Sequence, residues 1–274
     1  MLDKILVHPL TKNLSPVDPR TTELRRRIIR EKPVLYKIYN DWYGRLLQTL
    51  PKEQDCPGQV LELGAGGGFL KERLPACICS EVFLCSGIDC VLDGQALPFK
   101  DSALRGIVMV DVLHHIPDPA RFFAEAERVL HPGGVIAMLE PWNSAWSRIV
   151  YKNLHGEPFV PEAASWRLAD LPGSRGQGPL SAANGALPWI LFQRDYRQFE
   201  RTFPYLQLAK LELDYPFIYL ASGGVSMRGL SPGWSFRIWR GLEKLLSPAM
   251  RHLAMFALIT IRRAESPEKN SEPV

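Results

Sequence analysis

The chain has 274 residues, 46% of them apolar and 23% charged, with a net charge of +4 and a pI near 8.8. These values suit one elaborated α/β domain or two small ones, and they exclude wholesale disorder. A dedicated nucleic-acid binder carries a denser basic stripe, so no nucleic-acid partner is expected.

The opening MLDKILVHPLTK lacks the apolar core and cleavage site of a secretory signal. The apolar run 253–261 falls far short of the ~20 residues of a membrane span. Five cysteines (56, 77, 79, 85 and 90) crowd one stretch. Cys77 and Cys79 are one residue apart with no histidine nearby, so no metal is expected. An odd cysteine count is expected of reduced thiols in a cytoplasmic protein.

Residues 1–18 read as irregular, with prolines at 9, 16 and 19 bounding them. Helices follow over 21–31 and 33–50, the second opening on a proline suited to a first turn. The run Arg25, Arg26, Arg27 and Arg30 reads as a solvated helix face. Tyr36, Tyr39 and Tyr43 share one face of the second helix. Core packing is the simplest use of that face, and a lid over a ligand is the sharper one.

From residue 59 strands and helices alternate: strands over 59–63, 78–83, 90–92, 106–112 and 135–139. The clearest helix is 119–130, capped by Asp118, opened by Pro119 and stopped by "HPGG". Its apolar face is Phe122, Phe123, Ala126, Val129 and Leu130. Such alternation implies a parallel sheet covered on both faces. Residues 156–188 form a Pro-, Gly- and Ser-rich connection, with "LPGSRGQGPLSAANGALP" its extreme. A helix over 194–202, a strand over 206–213, an amphipathic segment over 234–246 and a strand over 255–261 complete the chain.

The stretch "VLELGAGGG" (60–68) joins a buried strand to a turn with glycine at 64, 66, 67 and 68. Without Cβ atoms, such a turn lets a ligand approach the main chain. A dinucleotide fingerprint needs a third glycine where Phe69 stands, so that motif fails. The chain instead resembles class I S-adenosylmethionine-dependent methyltransferases of the type 11 branch. The resemblance rests on "VLELGAGGG", "LDGQALPFKDSALRGIVMVDVLHHI", "DPARFFAEAERVLHPGG" and "VIAMLEPW", in that order over roughly 59–142.

The resemblance implies a Rossmann-like, doubly wound α/β fold. Its sheet would have seven mostly parallel strands with an antiparallel last one, plus N-terminal helices and an inserted loop region. It implies S-adenosyl-L-methionine as cofactor, with Glu62, Gly64, Ala65, Gly66 and Gly68 around its methionine and ribose. Glu81 and Asp89 compete as the ribose ligand, and Glu81 is preferred because Asp89 crowds the next motif. Asp93, with Gly94 and Gln95, matches the position receiving the adenine amine, and Asp111 to His114 would line the floor.

Tyr36, Tyr39, Trp42 and Trp142 are aromatic candidates to face the sulfonium. His114 and His115 are the candidate catalytic pair, with a structural or cofactor-contact role preferred, and His155 with Glu157 offers a second acid–base pair. Trp142, Trp146, Arg148, Tyr151 and His155 read as a substrate-side wall or as the packing of an extra helix. Trp234, Trp239, Leu242 and Leu245 with Arg237, Arg240 and Lys244 form a helix suited to peripheral membrane contact or to packing on the sheet.

The expected organisation is a helical cap (1–55), a cofactor-binding core (56–142) and a loop-rich substrate-side insertion (143–205). C-terminal strands and a helix (206–263) complete the sheet before a flexible tail (264–274). The expected activity is methyl transfer to oxygen of a small-molecule or glycan-type acceptor. The alternatives are a cofactor-binding protein without catalysis and a nicotinamide-dependent oxidoreductase.

Overall fold

A computed structural model describes residues 19–171 and 182–265. The expected irregular start (1–18), the central part of the Gly/Pro-rich connection (172–181) and residues 266–274 of the tail lie outside the described residues.

The strands are β1 (Gln59–Leu63), β2 (Ile78–Glu81), β3 (Cys90–Val91), β4 (Leu104–Val110), β5 (Leu130–Pro141), β6 (Leu206–Asp214) and β7 (Phe256–Arg263). They form one sheet in the order β3-β2-β1-β4-β5-β7-β6. Strands β1 to β5 pair in parallel. Strand β7 runs antiparallel to both β5 and β6. This is the doubly wound, mostly parallel seven-stranded sheet with an antiparallel last strand. Chain order reverses between β1 and β4, and connections leaving such a point in opposite directions open a crevice at the strands' carboxyl ends.

The central strands are buried on both faces, which explains their near-continuous apolar sequences. Side chains alternate between two apolar layers: Leu61 and Ile107 enter one, Val60 and Val108 the other. The first layer is closed by α4 (Pro119–Val129), by α6 (Leu187–Trp189) with its π-turn continuation Ile190–Arg194, and by α7 (Tyr196–Thr202). The second is closed by α1 (Pro19–Glu31), α2 (Pro33–Thr49), α5 (Ala145–Leu154) and α8 (Ile218–Ser222). The short α3 (Leu70–Arg73) follows the glycine turn, and α9 (Phe236–Leu245) and α10 (Met250–Leu253) precede β7.

Asp118 caps α4 as expected, accepting from the amides of Ala120 (3.2 Å) and Arg121 (3.4 Å). Several strand boundaries differ from expectation, and at β4 and β5 the reason lies in the backbone. Strand β4 ends at Val110 because Asp111 turns left-handed, with φ 63°. Strand β5 begins at Leu130, because "HPGG" ends the helix but continues as extended chain. The helical turn at 187–194 was not expected; Pro188 sits in its first turn, where a missing amide costs nothing.

Candidate functional site

The glycine turn leaves β1 at the crevice, and its glycines do different jobs. Gly64 has φ 68°, and a Cβ there would lie 2.6 Å from Val112 Cγ2. The turn is held to β2 by the Ala65 amide donating to the Ser80 carbonyl (2.8 Å). Gly68 instead makes room for the protein itself, since a Cβ there would lie 1.9 Å from the Tyr43 hydroxyl. The residue that breaks the dinucleotide pattern has the same purpose. Phe69 stacks on Tyr36 (ring centroids 5.1 Å) and meets Tyr43 edge-on (5.2 Å), anchoring α2 over the turn. Glu62 lies beneath, accepting from the Tyr43 hydroxyl (3.1 Å) and the Cys79 thiol (3.3 Å). Burial pushes its pKa well up. It faces a small recess of about 150 Å³, not the main cavity.

That cavity encloses about 690 Å³. One wall is Gly64, Ala65, Gly66, Gly67 and Gly68 with Glu81, Asp93, Gly94 and Gln95. Glu81 ends β2 and accepts from the Val82 amide (2.8 Å), while burial raises its pKa against that hydrogen bond. Asp89 is turned away, accepting from the Cys79 amide (2.8 Å) and paired with Lys71. The Asp93 carboxylate accepts from the Gln95 amide (2.9 Å), and Gln95 Oε1 accepts from the Asp118 amide (3.1 Å). This wall is thereby tied to the start of α4.

The roof comes from both ends of the chain. Thr22, Arg25 and Ile29 of α1, Tyr39 and Tyr43 of α2, and Tyr219 with the loop 223–227 line the cavity. Lys32, between the two cap helices, fastens that loop: its Nζ donates to the carbonyls of Gly224 (2.7 Å), Ser222 (3.3 Å) and Met227. Of the four expected sulfonium-facing aromatics, Tyr39 lines the cavity. Tyr36 rides on Phe69, Trp42 packs among Tyr215, Tyr219 and Phe256, and Trp142 is a core residue 2% exposed.

The opposite end is charged. Glu140, fully buried at the end of β5, accepts from the amides of Val112 (2.8 Å) and Leu113 (2.7 Å) through one oxygen. Its other oxygen holds His114 Nδ1 at 2.8 Å. His114 Nε2 then points at Glu157 Oε2 (3.5 Å) and Asp111 Oδ1 (3.9 Å). Burial opposes charge on His114, but hydrogen bonds to Glu140 and Glu157 outweigh it and hold its pKa well above that of free imidazole. His115, with Nε2 3.8 Å from Glu157, is pushed down to about 3 by burial and by its charged neighbour. Burial alone would raise Glu157, yet the histidines hold its carboxyl below the usual range.

Asp111, His115, Tyr151, His155 and Glu157 line the cavity, whereas His114 and Glu140 support them from behind. Three carboxylates thus surround the His114 imidazole, a field that favours a bound cation. His114, His115 and Glu157 each offer one ligand atom, all within 4.8 Å of one another, and are suited to hold a proton or a metal ion. Trp146 and Arg148 do not join the cavity. Trp146 Nε1 donates to the Pro216 carbonyl (2.8 Å), and Arg148 turns outward to Asn143 (3.3 Å).

Residues 61–138 match the methyltransferase domain family. The match is to this stretch of the chain, from β1 to β5. A malonyl-acyl-carrier-protein O-methyltransferase of Hahella chejuensis is 29% identical over 110 residues, 33% of this chain and 39% of its own. A transposon protein of Streptomyces fradiae is 45% identical over 108 residues, 37% of this chain and 28% of its own. The matches therefore span well under half the length of these relatives. Among solved structures, geranyl diphosphate C-methyltransferase from Streptomyces coelicolor A3(2) aligns over 92% of this chain and 86% of its own, at 14% identity and TM-score 0.49.

The matched stretch supplies the glycine wall, Asp93, Asp111 and His115, but not the roof or Glu157. Sequence reasoning missed Arg25, Tyr219, the loop 223–227 and Glu140. Tyr219 and the loop 223–227 lie on the connection between β6 and β7, so their return to the crevice depends on that antiparallel closure.

Proposed function

We propose that the chain is an S-adenosylmethionine-dependent methyltransferase that methylates an oxygen of a small-molecule or glycan-type acceptor. The observation that supports it is the continuity of one cavity, from the glycine wall to the cluster around Glu157. At about 690 Å³ it is of ordinary ligand-site size, roughly 300–1,000 Å³. In this reading the glycine turn seats the aminoacyl part of the cofactor. Glu81 accepts from the ribose hydroxyls and Asp93 from the adenine amine. Bound there, S-adenosylmethionine would supply a methyl group already activated by its sulfonium leaving group.

The chain's own task is then to align the acceptor, exclude water and take up a proton. Asp111 and Glu157 favour positive charge, and neutral His115 adds none of its own. A hydroxyl acceptor arrives protonated, and Glu157, backed by His114, is placed to receive that proton. With its depressed pKa it is a weak base, suited to removing the proton as the carbon–oxygen bond forms. The O-methyltransferase relative fits an oxygen acceptor.

The test is a panel of hydroxylated acceptors with S-adenosylmethionine, reading release of S-adenosylhomocysteine. Glu157→Gln is expected to lower kcat by about 10²–10⁴ with cofactor affinity retained. Asp93→Ala is expected to weaken cofactor binding in a protein that stays folded. A wild-type thermal shift with NAD and none with either sulfur ligand would overturn the assignment.

A further inference from the structure

Outside the cavity, the least explained surface is the outer face of α9 and the segment before it. Trp234, Ile238, Leu242 and Leu245 recur at helical spacing and are 73%, 55%, 49% and 78% exposed. Leu230, 70% exposed, extends this stripe into the preceding loop. A patch of this kind on a soluble fold marks an interaction site. We propose that this face docks on an anionic lipid bilayer.

Charge selects that partner. Residues 215–264 contain a single acidic residue, Glu243. It is buried and spent, accepting from the amides of Phe217 (3.1 Å) and Ile218 (2.8 Å) and from Arg240 (2.7 Å). Arg228, Arg237, Lys244 and Arg251 of the same segment are all exposed. On a helical projection Arg237 and Lys244 flank the Trp234–Leu245 stripe, while Trp239, Arg240 and Glu243 fall on the side packed against the protein. An apolar stripe of Trp, Ile and Leu beside basic residues is the composition of a helix lying in a membrane interface.

The rival occupant is a second copy of the chain. A two-fold contact through this stripe would oppose its own basic flank, since an isologous interface repeats the same residues on both sides. The bound orientation has a structural consequence. Leu230 donates its amide to the Ala221 carbonyl (2.9 Å), so the docking stripe begins where the loop 223–227 returns from the cavity roof.

The experiment is co-sedimentation of the full chain with vesicles of phosphatidylcholine alone and of phosphatidylcholine with phosphatidylglycerol. Binding is expected to the anionic vesicles, weakening with salt. Arg237→Glu with Lys244→Glu should cut partitioning roughly tenfold or more. Trp234→Ser with Leu245→Ser should abolish it, and these exposed sites leave the melting temperature unchanged. Three results would each overturn the proposal: no binding to anionic vesicles at low salt, equal partitioning of the charge-reversed variant, or a wild-type dimer that the Trp234→Ser variant converts to monomer.

Discussion

Gly64 and Asp111 face each other across the switch point, and both carry left-handed backbone, at φ 68° and 63°. The glycine is needed twice over, because a Cβ would also strike Val112. Gly64→Ala is therefore expected to cost on the order of 2–3 kcal/mol, from backbone strain plus the clash. A denaturant titration measures it, and a loss below half a kilocalorie would show that the turn relaxes freely. The two buried glutamates show how much of the site was legible at this scale. Glu62 stood inside the motif and drew attention, yet it faces Tyr43 and Cys79 beneath the turn. Glu140 read as a strand end, yet it fixes two amides and His114. A motif marks where a residue sits along the chain, whereas its role depends on which way a strand's alternation turns it.

Among the elements, those set by local chemistry were readable. Strand β1 and the capped helix α4 needed only an apolar run, a cap and a proline. The helical turn at 187–194, just past the Gly- and Pro-rich connection, was not readable because its stability comes from packing Leu187, Ile190 and Leu191 into the core. The roof was illegible for a related reason: its strongest tie, Lys32 to three carbonyls of residues 222–227, spans some 190 positions. Lys32→Met keeps the aliphatic stem and removes the donors. Its expected result is faster amide exchange confined to the loop after α8, with a modest loss of cofactor affinity. Unchanged exchange at 223–227 would mean that the loop is held by its own turns.

The whole molecule is closed by a charged knot where the cap, the last strands and α9 meet. Arg240 bonds Asp214 (2.8 and 2.9 Å) and Glu243 (2.7 Å), Arg45 of α2 reaches Asp214 (2.7 Å) and Glu212 (3.0 Å), and the Tyr215 hydroxyl donates to Asp41. Burial alone would raise the pKa of Asp214, but Arg240 and Arg45 outweigh it and hold the carboxyl below its ordinary value. The unfolded chain therefore binds this proton more readily than the folded one. The knot's contribution is present above the unfolded pKa of about 3.9 and is lost as pH falls through the lower folded value. Asp214→Asn should destabilise the protein by roughly 2–3 kcal/mol at pH 7, somewhat less than a fully buried pair broken on one side. The difference between wild type and variant should shrink as pH drops below 4, because the wild-type carboxyl then protonates too. Urea midpoints at pH 7, 4 and 2.5 measure this convergence. A gap that stays constant across that range would assign the loss to packing around Tyr215 and not to the ionised pair.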